Sequence, residues 1–146
     1  MTAGPAGGGR PLVVVLGASG FIGSPLTRAL AARPVRLRLV ARRETPVPDG
    51  ARAETEVRTA DLSAPGAVAE RPGADAVFHL VAATEAGWRV TEDDTAAERL
   101  NVGLVHDLAA ALAADRRPGA PGPVVVFPST TTHLARTPAP GSTPPE

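Results

Sequence analysis

Short apolar runs alternate with longer amphipathic stretches along most of the chain. Five runs have the β-branched content or the alternation expected of strands, and they lie at residues 11–16, 35–40, 54–59, 76–81 and 124–127. The first run (PLVVVL) and the fourth (AVFHLV) are almost continuously apolar, which is typical of strands buried on both faces of a parallel sheet. The third run (ETEVRT) has the weakest strand signal.

Helical spacing fills the intervals between these runs. Apolar residues recur at helical positions in 21–32, and Ser63 is placed to cap a short helix that reaches about Glu70. The longest helix is expected to begin at Thr91 and to end before Pro118. Its apolar residues recur at every fourth position, at Leu100, Leu104, Leu108 and Leu112. Strands that alternate with helices predict an α/β fold with a parallel sheet and right-handed crossovers.

The two ends of the chain differ in composition from its middle. Residues 1–10 (MTAGPAGGGR) are glycine-rich and are predicted to form a flexible leader. Residues 134–146 are rich in Pro and Thr and have no apolar periodicity, so a disordered tail is predicted there. We therefore expect one folded domain, which covers residues 11–133.

The composition excludes several classes of function. With a formal net charge of zero, the chain has no basic surplus with which to hold nucleic acid. It contains no Cys, and its three His show no metal-ligand spacing, so no metal site is predicted. No apolar run approaches the roughly 18 residues of a membrane span, and the start of the chain is not a secretory signal. A cytoplasmic protein is therefore expected.

The strongest functional signal is the glycine-rich turn 17–23 (GASGFIG), which joins the first strand to the first helix. Gly17 permits a tight turn, and Gly20 allows the backbone to approach a phosphate closely. Gly23 allows the helix to pack close to the sheet. Free N–H groups and the helix dipole attract phosphate here, so Ser19, Phe21 and Ile22 are predicted to lie at the pyrophosphate of a dinucleotide. The alternative is a glycine turn that serves packing alone.

Two arginines follow the second strand, where the ribose of a dinucleotide lies in folds of this kind. Arg42 and Arg43 favour a ribose 2′-phosphate through charge-assisted hydrogen bonds, so NADP(H) is predicted rather than NAD(H). Glu44, beside them, is the acid that would instead bind a 2′-hydroxyl. A solvated pair of arginines on a loop is the alternative without a ligand.

Five segments of the chain match the motifs of a known family and follow each other in the same order. They are 17–23, Asp61-Leu62, 77–83 (VFHLVAA), Asn101-Val102 and 126–130 (VFPST). Together they resemble the extended short-chain dehydrogenase/reductases, the NAD-dependent epimerase/dehydratase family, over about residues 11–133. The expected fold is then a Rossmann-type, doubly wound parallel sheet with strand order 3-2-1-4-5.

The resemblance also implies functions for residues outside the glycine turn. The implied cofactor contacts, from the adenine to the nicotinamide ribose, are Asp61, Leu62, Val81, Ala82, Ala83 and Asn101. The implied catalytic group is Thr130, with Ser129 beside it, at the carboxyl end of strand five.

Several of these residues also have a purely structural interpretation. Asp61 would then only precede a helix cap, Asn101 would be polar helix surface, and Thr130 would belong to a Thr-rich loop. His79 lies within a buried strand, and a packed core histidine is predicted there rather than a catalytic one. Trp88 either covers the mouth of the site or anchors a loop.

The family's reaction needs a Tyr and, four residues later, a Lys. The Tyr hydroxyl exchanges a proton with the substrate oxygen, and the ammonium lowers the pKa of the Tyr. All 15 basic residues of this chain are Arg, and it contains no Tyr. The remaining strands and the sugar pocket of the family are also missing, so the resemblance predicts a truncated member that is inactive alone.

The stretch 88–94 is most similar to nucleotide-sugar ketoreductases of deoxysugar biosynthesis. The predicted function is therefore an NAD(P)-binding domain that resembles an oxidoreductase or epimerase of nucleotide-activated deoxysugars. The alternatives are a non-catalytic dinucleotide-binding or interaction module and a truncated gene remnant. The expected partners are a dinucleotide, a nucleotide-sugar if another chain completes the site, and a second copy through the edge of strand five.

Overall fold

Parallel strands form the centre of the protein, in the order β3-β2-β1-β4-β5. The computed structural model describes residues 9–68, 73–83, 95–116, 118–119 and 121–128. Within these ranges the strands are β1 (Leu12–Leu16), β2 (Arg36–Ala41), β3 (Glu54–Thr59), β4 (Ala76–His79) and β5 (Val124–Val126). The predicted strands, their parallel pairing and their order are confirmed, although β4 and β5 end earlier than expected. Most of the predicted leader and all of the predicted tail lie outside the described residues.

Helices cover the two faces of this sheet. On one face, α1 (Gly23–Ala31) packs against alternate residues of β1 and β2, namely Val13, Val15, Leu37 and Leu39. On the other face lies one continuous helix, which consists of α2 (Thr95–Glu98), a π-helical segment (Arg99–Gly103) and α3 (Leu104–Ala114). Three of the predicted leucines of this helix are fully buried against the sheet, Leu100, Leu104 and Leu108. Since β1 is covered on both faces, its continuous apolar run is explained.

Charged residues join β3, the weakest predicted strand, to β2. Arg38 and Glu56 are register partners, and Arg38 Nε donates a hydrogen bond of 2.7 Å to Glu56 Oε2. Arg58 donates to the other carboxylate oxygen, and the hydrogen bonds from the two arginines lower the pKa of the Glu56 carboxyl. Cross-strand ion pairing thus supplements the backbone ladder where β3 offers few apolar side chains.

The helix predicted from Ser63 to Glu70 is not formed in the described residues up to Val68, which make a series of turns. Asp61 Oδ1 accepts hydrogen bonds from the Ser63 N–H at 3.0 Å and from the Ser63 hydroxyl at 2.6 Å. The prediction of a helix was therefore wrong, because the hydrogen bonds of Asp61 stabilise a local side-chain turn that competes with the helix.

A π-helical segment, which the apolar periodicity does not predict, interrupts the long helix. Arg99 reaches across this segment to Asp107, with 3.1 Å between Nη2 and Oδ2. A Cβ atom on Gly103 would lie 2.7 Å from the Arg99 guanidinium, so the glycine leaves room for the ion pair. Asp107 also accepts the Gly66 N–H, which ties the helix to the turns after β3.

β5 is the last strand of the sheet in the part of the chain that the structure describes, and one of its faces is apolar and exposed. Val124 is 63% exposed and Val126 is 38% exposed, whereas Val125 packs against the core on the opposite face. Phe127, directly after the strand, is 47% exposed. An apolar edge strand of this kind favours pairing with another strand.

We expect the protein to self-associate through this edge in a concentration-dependent manner. Replacing Val124→Lys should reduce the association, because an edge lysine repels a second copy and opposes strand pairing. Sedimentation velocity over a range of concentrations measures the effect. Val47→Lys is the matched control, since Val47 is also exposed, at 43%, but lies in a loop. A wild-type protein that stays monomeric throughout the range would contradict the prediction.

Candidate functional site

The glycine turn brings the amino terminus of α1 against the carboxyl end of β1. Gly17 has a φ of +87°, and its N–H donates to the Val40 carbonyl of the neighbouring strand at 2.8 Å. A Cβ atom on Gly23 would overlap the Gly17 carbonyl oxygen and lie 2.9 Å from the Ala18 Cα. The predicted close packing at Gly23 is therefore present, and it is a contact of helix backbone with turn backbone.

The amino terminus of α1 lies open to the space above the sheet. Its N-cap residue, Ile22, makes no side-chain capping hydrogen bond. Among the described residues, no acceptor is found for the N–H groups of Phe21 and Ile22, while the Gly20 N–H is used within the turn. The Phe21 side chain is 98% exposed. Uncapped N–H groups and the helix dipole favour an anion at this position.

A groove of about 180 Å³ begins at this turn and follows the carboxyl ends of the strands. Its lining residues come from the turn and from the ends of β1, β2, β3 and β4, and they include Gly17, Ser19, Gly20, Arg42, Arg43, Asp61, Leu62, Val81 and Ala82. Most of the residues predicted to contact a cofactor thus line one groove. It lies at the carboxyl edge of the sheet, where the strand order reverses between β1 and β4 and where open α/β sheets bind ligands.

Asp61 is exposed at the end of the groove beyond β3. Hydrogen bonds from the Ser63 hydroxyl and N–H lower the pKa of the Asp61 carboxyl, and the nearby charge of Arg42 contributes less. The carboxylate is therefore ionised at neutral pH and held in one orientation. The two predicted interpretations of Asp61, a group at the groove and a group that organises the following turn, are compatible in this geometry.

Asn101 is joined to the strand-four side of the groove. The Ala83 N–H donates to Asn101 Oδ1 at 2.8 Å, and Asn101 Nδ2 donates to the Ala83 carbonyl at 3.0 Å. Since both ends of the amide contact one backbone unit, Asn101 positions the chain after β4. Ala83 is buried by this contact, whereas Ala82 is exposed at the groove.

His79 is a buried residue of β4, as predicted. Its ring is 3% exposed and lies 4.7 Å from the Phe127 ring, measured between centroids. Burial lowers the pKa of the His79 imidazole, and Nε2 has no hydrogen-bond partner among the described residues. The contact with Phe127 also shows that the carboxyl ends of β4 and β5 lie side by side.

A second cavity, of about 450 Å³, lies beside the groove and was missed by the sequence analysis. It separates α1 from the loop after β2, and its polar lining residues are Ser19, Ser24, Thr27, Arg28, Arg43, Glu44 and Thr45. The available signal was the spacing of Ser24, Thr27 and Arg28, which places three polar side chains on one face of a helix. Ser19 and Arg43 line both the cavity and the groove.

Some predicted site residues lie outside the described part of the chain. These are the catalytic candidates Ser129 and Thr130, together with Trp88. Among the described residues, no cluster of three potential metal ligands is found, and no helix is long and apolar enough to cross a membrane.

Comparison with known proteins gives a family and a shared fold. The model of the NAD dependent epimerase/dehydratase family matches residues 13–144. A nucleoside-diphosphate-sugar epimerase from Agrobacterium tumefaciens is 28% identical, with a TM-score of 0.66 over 87% of this chain and 40% of that chain. A mutant uronate dehydrogenase from the same organism, complexed with NAD, is 24% identical, with a TM-score of 0.64 over 84% of this chain and 42% of that chain. No curated protein gives a significant match.

A more distant structure shares the fold alone. A short chain dehydrogenase family protein from Francisella tularensis subsp. tularensis is 14% identical, with a TM-score of 0.63 over 88% of this chain and 55% of that chain. The chain therefore spans only part of the length of the solved structures that it matches.

We expect Gly23→Ala to destabilise the fold by about 1–3 kcal/mol, because the new methyl group cannot avoid the Gly17 backbone. Urea denaturation monitored by circular dichroism measures the loss. Gly122→Ala is the matched control, since a Cβ atom there meets nothing within 4 Å. Equal unfolding midpoints for the two variants would contradict the packing argument.

We also expect the stability to fall as the pH is lowered through the range of histidine titration. Burial lowers the pKa of His79, so the unfolded chain binds a proton that the folded protein resists. This contribution is fully present above the unfolded pKa of about 6.5 and is lost as the pH falls toward the folded pKa. Thermal unfolding between pH 7.5 and pH 5.5 measures it.

His79→Leu should flatten this pH dependence, whereas His106→Gln should leave it unchanged because His106 is exposed. A His79→Leu profile with the wild-type slope would show that another group is responsible.

Proposed function

The chain belongs to the NAD-dependent epimerase/dehydratase family, and we propose that it binds a nicotinamide dinucleotide along the groove. The observation that carries the proposal is the open amino terminus of α1, held by Gly23 at the head of a groove that collects the strand ends. A pyrophosphate placed there accepts hydrogen bonds from the N–H groups of Phe21 and Ile22 and is attracted by the positive end of the helix dipole. A bound dinucleotide supplies the hydride acceptor or donor.

The residues along the groove fit the successive parts of such a molecule. Asp61 and Leu62 line the end that we assign to the adenine, and Arg42 lies between this end and the turn. Val81 and Ala82 line the other end, which we assign to the nicotinamide ribose. Their small or apolar side chains leave space for a ring. Asn101 supports this wall through Ala83 and is a positioning residue rather than a direct cofactor contact.

The preferred cofactor in this proposal is NADP(H). Arg42 and Arg43 both line the groove after β2, and a guanidinium at this place is suited to donate charge-assisted hydrogen bonds to a 2′-phosphate. Glu44 lines the adjoining cavity and is the group through which NAD(H) would compete.

For the substrate, we propose a nucleotide-activated sugar, with a keto-deoxysugar as the form to test first. The support is the family, the similarity to a nucleoside-diphosphate-sugar epimerase, and the likeness of residues 88–94 to ketoreductases of deoxysugar pathways. The chain contains neither the Tyr nor the Lys on which the family's proton transfer depends. We therefore propose cofactor binding without turnover for these 146 residues alone.

A second candidate follows from the same absence of Tyr and Lys. A protein that retains the groove but lacks the Tyr and Lys of the family is suited to sensing a cofactor or to presenting it to another chain. Turnover that appears only when a second polypeptide with a Tyr and a Lys is added would favour this presentation of the cofactor.

We expect NADP⁺ to bind about tenfold more tightly than NAD⁺, because a charge-assisted hydrogen bond contributes about 1.5–3 kcal/mol. Isothermal titration calorimetry with both cofactors at one salt concentration measures the ratio. Gly23→Ala serves as a variant that damages the turn and should weaken both cofactors. Equal affinities, or tighter binding of NAD⁺ through Glu44, would contradict the NADP preference.

We expect no NADPH oxidation at a family-like rate with nucleotide-activated keto-sugars, because positioned acid–base catalysis contributes about 10²–10⁴-fold and its groups are absent. The assay follows absorbance of the reduced nicotinamide, with Thr130→Val as the comparison variant. Turnover that Thr130→Val abolishes would show that a different group completes the site.

A further inference from the structure

The cavity between α1 and the loop after β2 has the features of a built anion site. Two threonines at its wall are almost fully buried, Thr27 at 2% exposure and Thr45 at 5%. The Thr27 hydroxyl has no hydrogen-bond partner among the described residues. A buried hydroxyl without a partner costs free energy, so its persistence at the wall of a polar cavity points to a ligand.

Arg28 supplies charge to this cavity from α1. Side chains of a helix lean toward its amino terminus, so Arg28 is directed back along the face that carries Ser24. The structure bears this out, since Arg28 lines the cavity and also the surface beside the glycine turn. Arg43 lines the opposite wall. The two guanidinium groups therefore face one space from two different elements.

The charge balance of the cavity favours an anion. Arg28 and Arg43 contribute two positive charges, and Glu44 contributes one negative charge. A phosphate monoester carries between 1.5 and 2 negative charges at neutral pH, and its oxygens suit the planar donors of arginine. An uncharged hydroxyl group in the same place would accept fewer hydrogen bonds from the two arginines than a phosphate does.

The cavity and the groove are joined, so an anion in the cavity can be part of a larger ligand that lies in the groove. Ser19 and Arg43 line both spaces. Arg42 lines the groove but not the cavity. A phosphate that enters the cavity from a ligand in the groove therefore passes Ser19 and Arg43 and moves away from Arg42.

We propose that Arg28 is a specificity-determining residue, which holds the 2′-phosphate of NADP(H) in this cavity together with Arg43. The inference rests on the proposed function, and it changes the sequence-based expectation that Arg42 and Arg43 act as the pair. Thr27 and Ser24 form the wall beside the phosphate, and Glu44 reduces the excess of positive charge. Arg42 serves the groove, where it contributes equally to both cofactors.

Calorimetric titration of matched variants tests this division. Arg28→Gln and Arg43→Gln should each weaken NADP⁺ by about tenfold and change NAD⁺ by less than about twofold, because each loses a charge-assisted contact to the phosphate alone. Arg42→Gln should change the two cofactors by the same factor. Adenosine 2′,5′-bisphosphate and 5′-AMP, titrated in the same way, should repeat the pattern without the nicotinamide half.

Arg33→Gln is the control for a change of charge near α1, because Arg33 is exposed and lies outside the cavity lining. It should leave both affinities unchanged, and thermal unfolding checks that every variant is folded. A lower affinity for both cofactors in Arg28→Gln would overturn the inference, as would an unchanged NADP⁺ affinity or a selective effect at Arg42. Binding of NAD⁺ alone by the wild type would overturn the inference but not the dinucleotide site, whereas binding of neither would overturn both.

Discussion

The close contact between the Gly23 and Gly17 backbones is the constraint on which the rest of the site depends. It sets the distance between the helix and the end of β1, because no side chain fits between them. The amino terminus of α1 is thereby held above the carboxyl edge of the sheet with no side-chain cap. The ends of β2, β3 and β4 then need only their parallel register with β1 to arrive at the same edge. A small packing contact thus fixes the position of an electrostatic site.

The fold and the glycine turn could be predicted because their signals are local. Continuous β-branched runs report burial on both faces, and Gly17 and Gly23 report a turn that tolerates no Cβ. The family resemblance added the order of the strands. The region after β3 could not be predicted from a capping pattern, because the Asp61 carboxylate accepts hydrogen bonds from Ser63 and stabilises a turn there instead. Competition between a side-chain turn and a helix is decided by local geometry, which composition does not encode.

The missed features have a different cause, since each involves contacts between residues further apart than the spacing of one helical turn. The π-helical segment accompanies an ion pair between Arg99 and Asp107 and a contact between Asn101 and the chain after β4. The second cavity needs α1 and the loop after β2 to face each other. The polar spacing of Thr27 and Arg28 on α1 suggests ordinary helix surface until that loop is in place. Periodicity predicts which face of an element is polar, but not what that face meets.

The two ends of the groove differ in chemistry. One end has the charged groups that suit binding, and the other end is where the reacting part of a cofactor would lie. The end toward β2 and β3, which we assign to the adenosine part of a cofactor, holds the charged groups, including Arg42, Arg43 and Asp61. The end toward β4 holds Val81 and Ala82, and the sequence contains no Tyr or Lys to place there. Interactions with the non-reacting part of a cofactor raise its affinity. They lower a reaction barrier only when a group at the reacting end uses this binding energy to stabilise the transition state. The proposed affinity for a dinucleotide is therefore independent of turnover, and selection between cofactors would operate at the end that we assign to the adenosine.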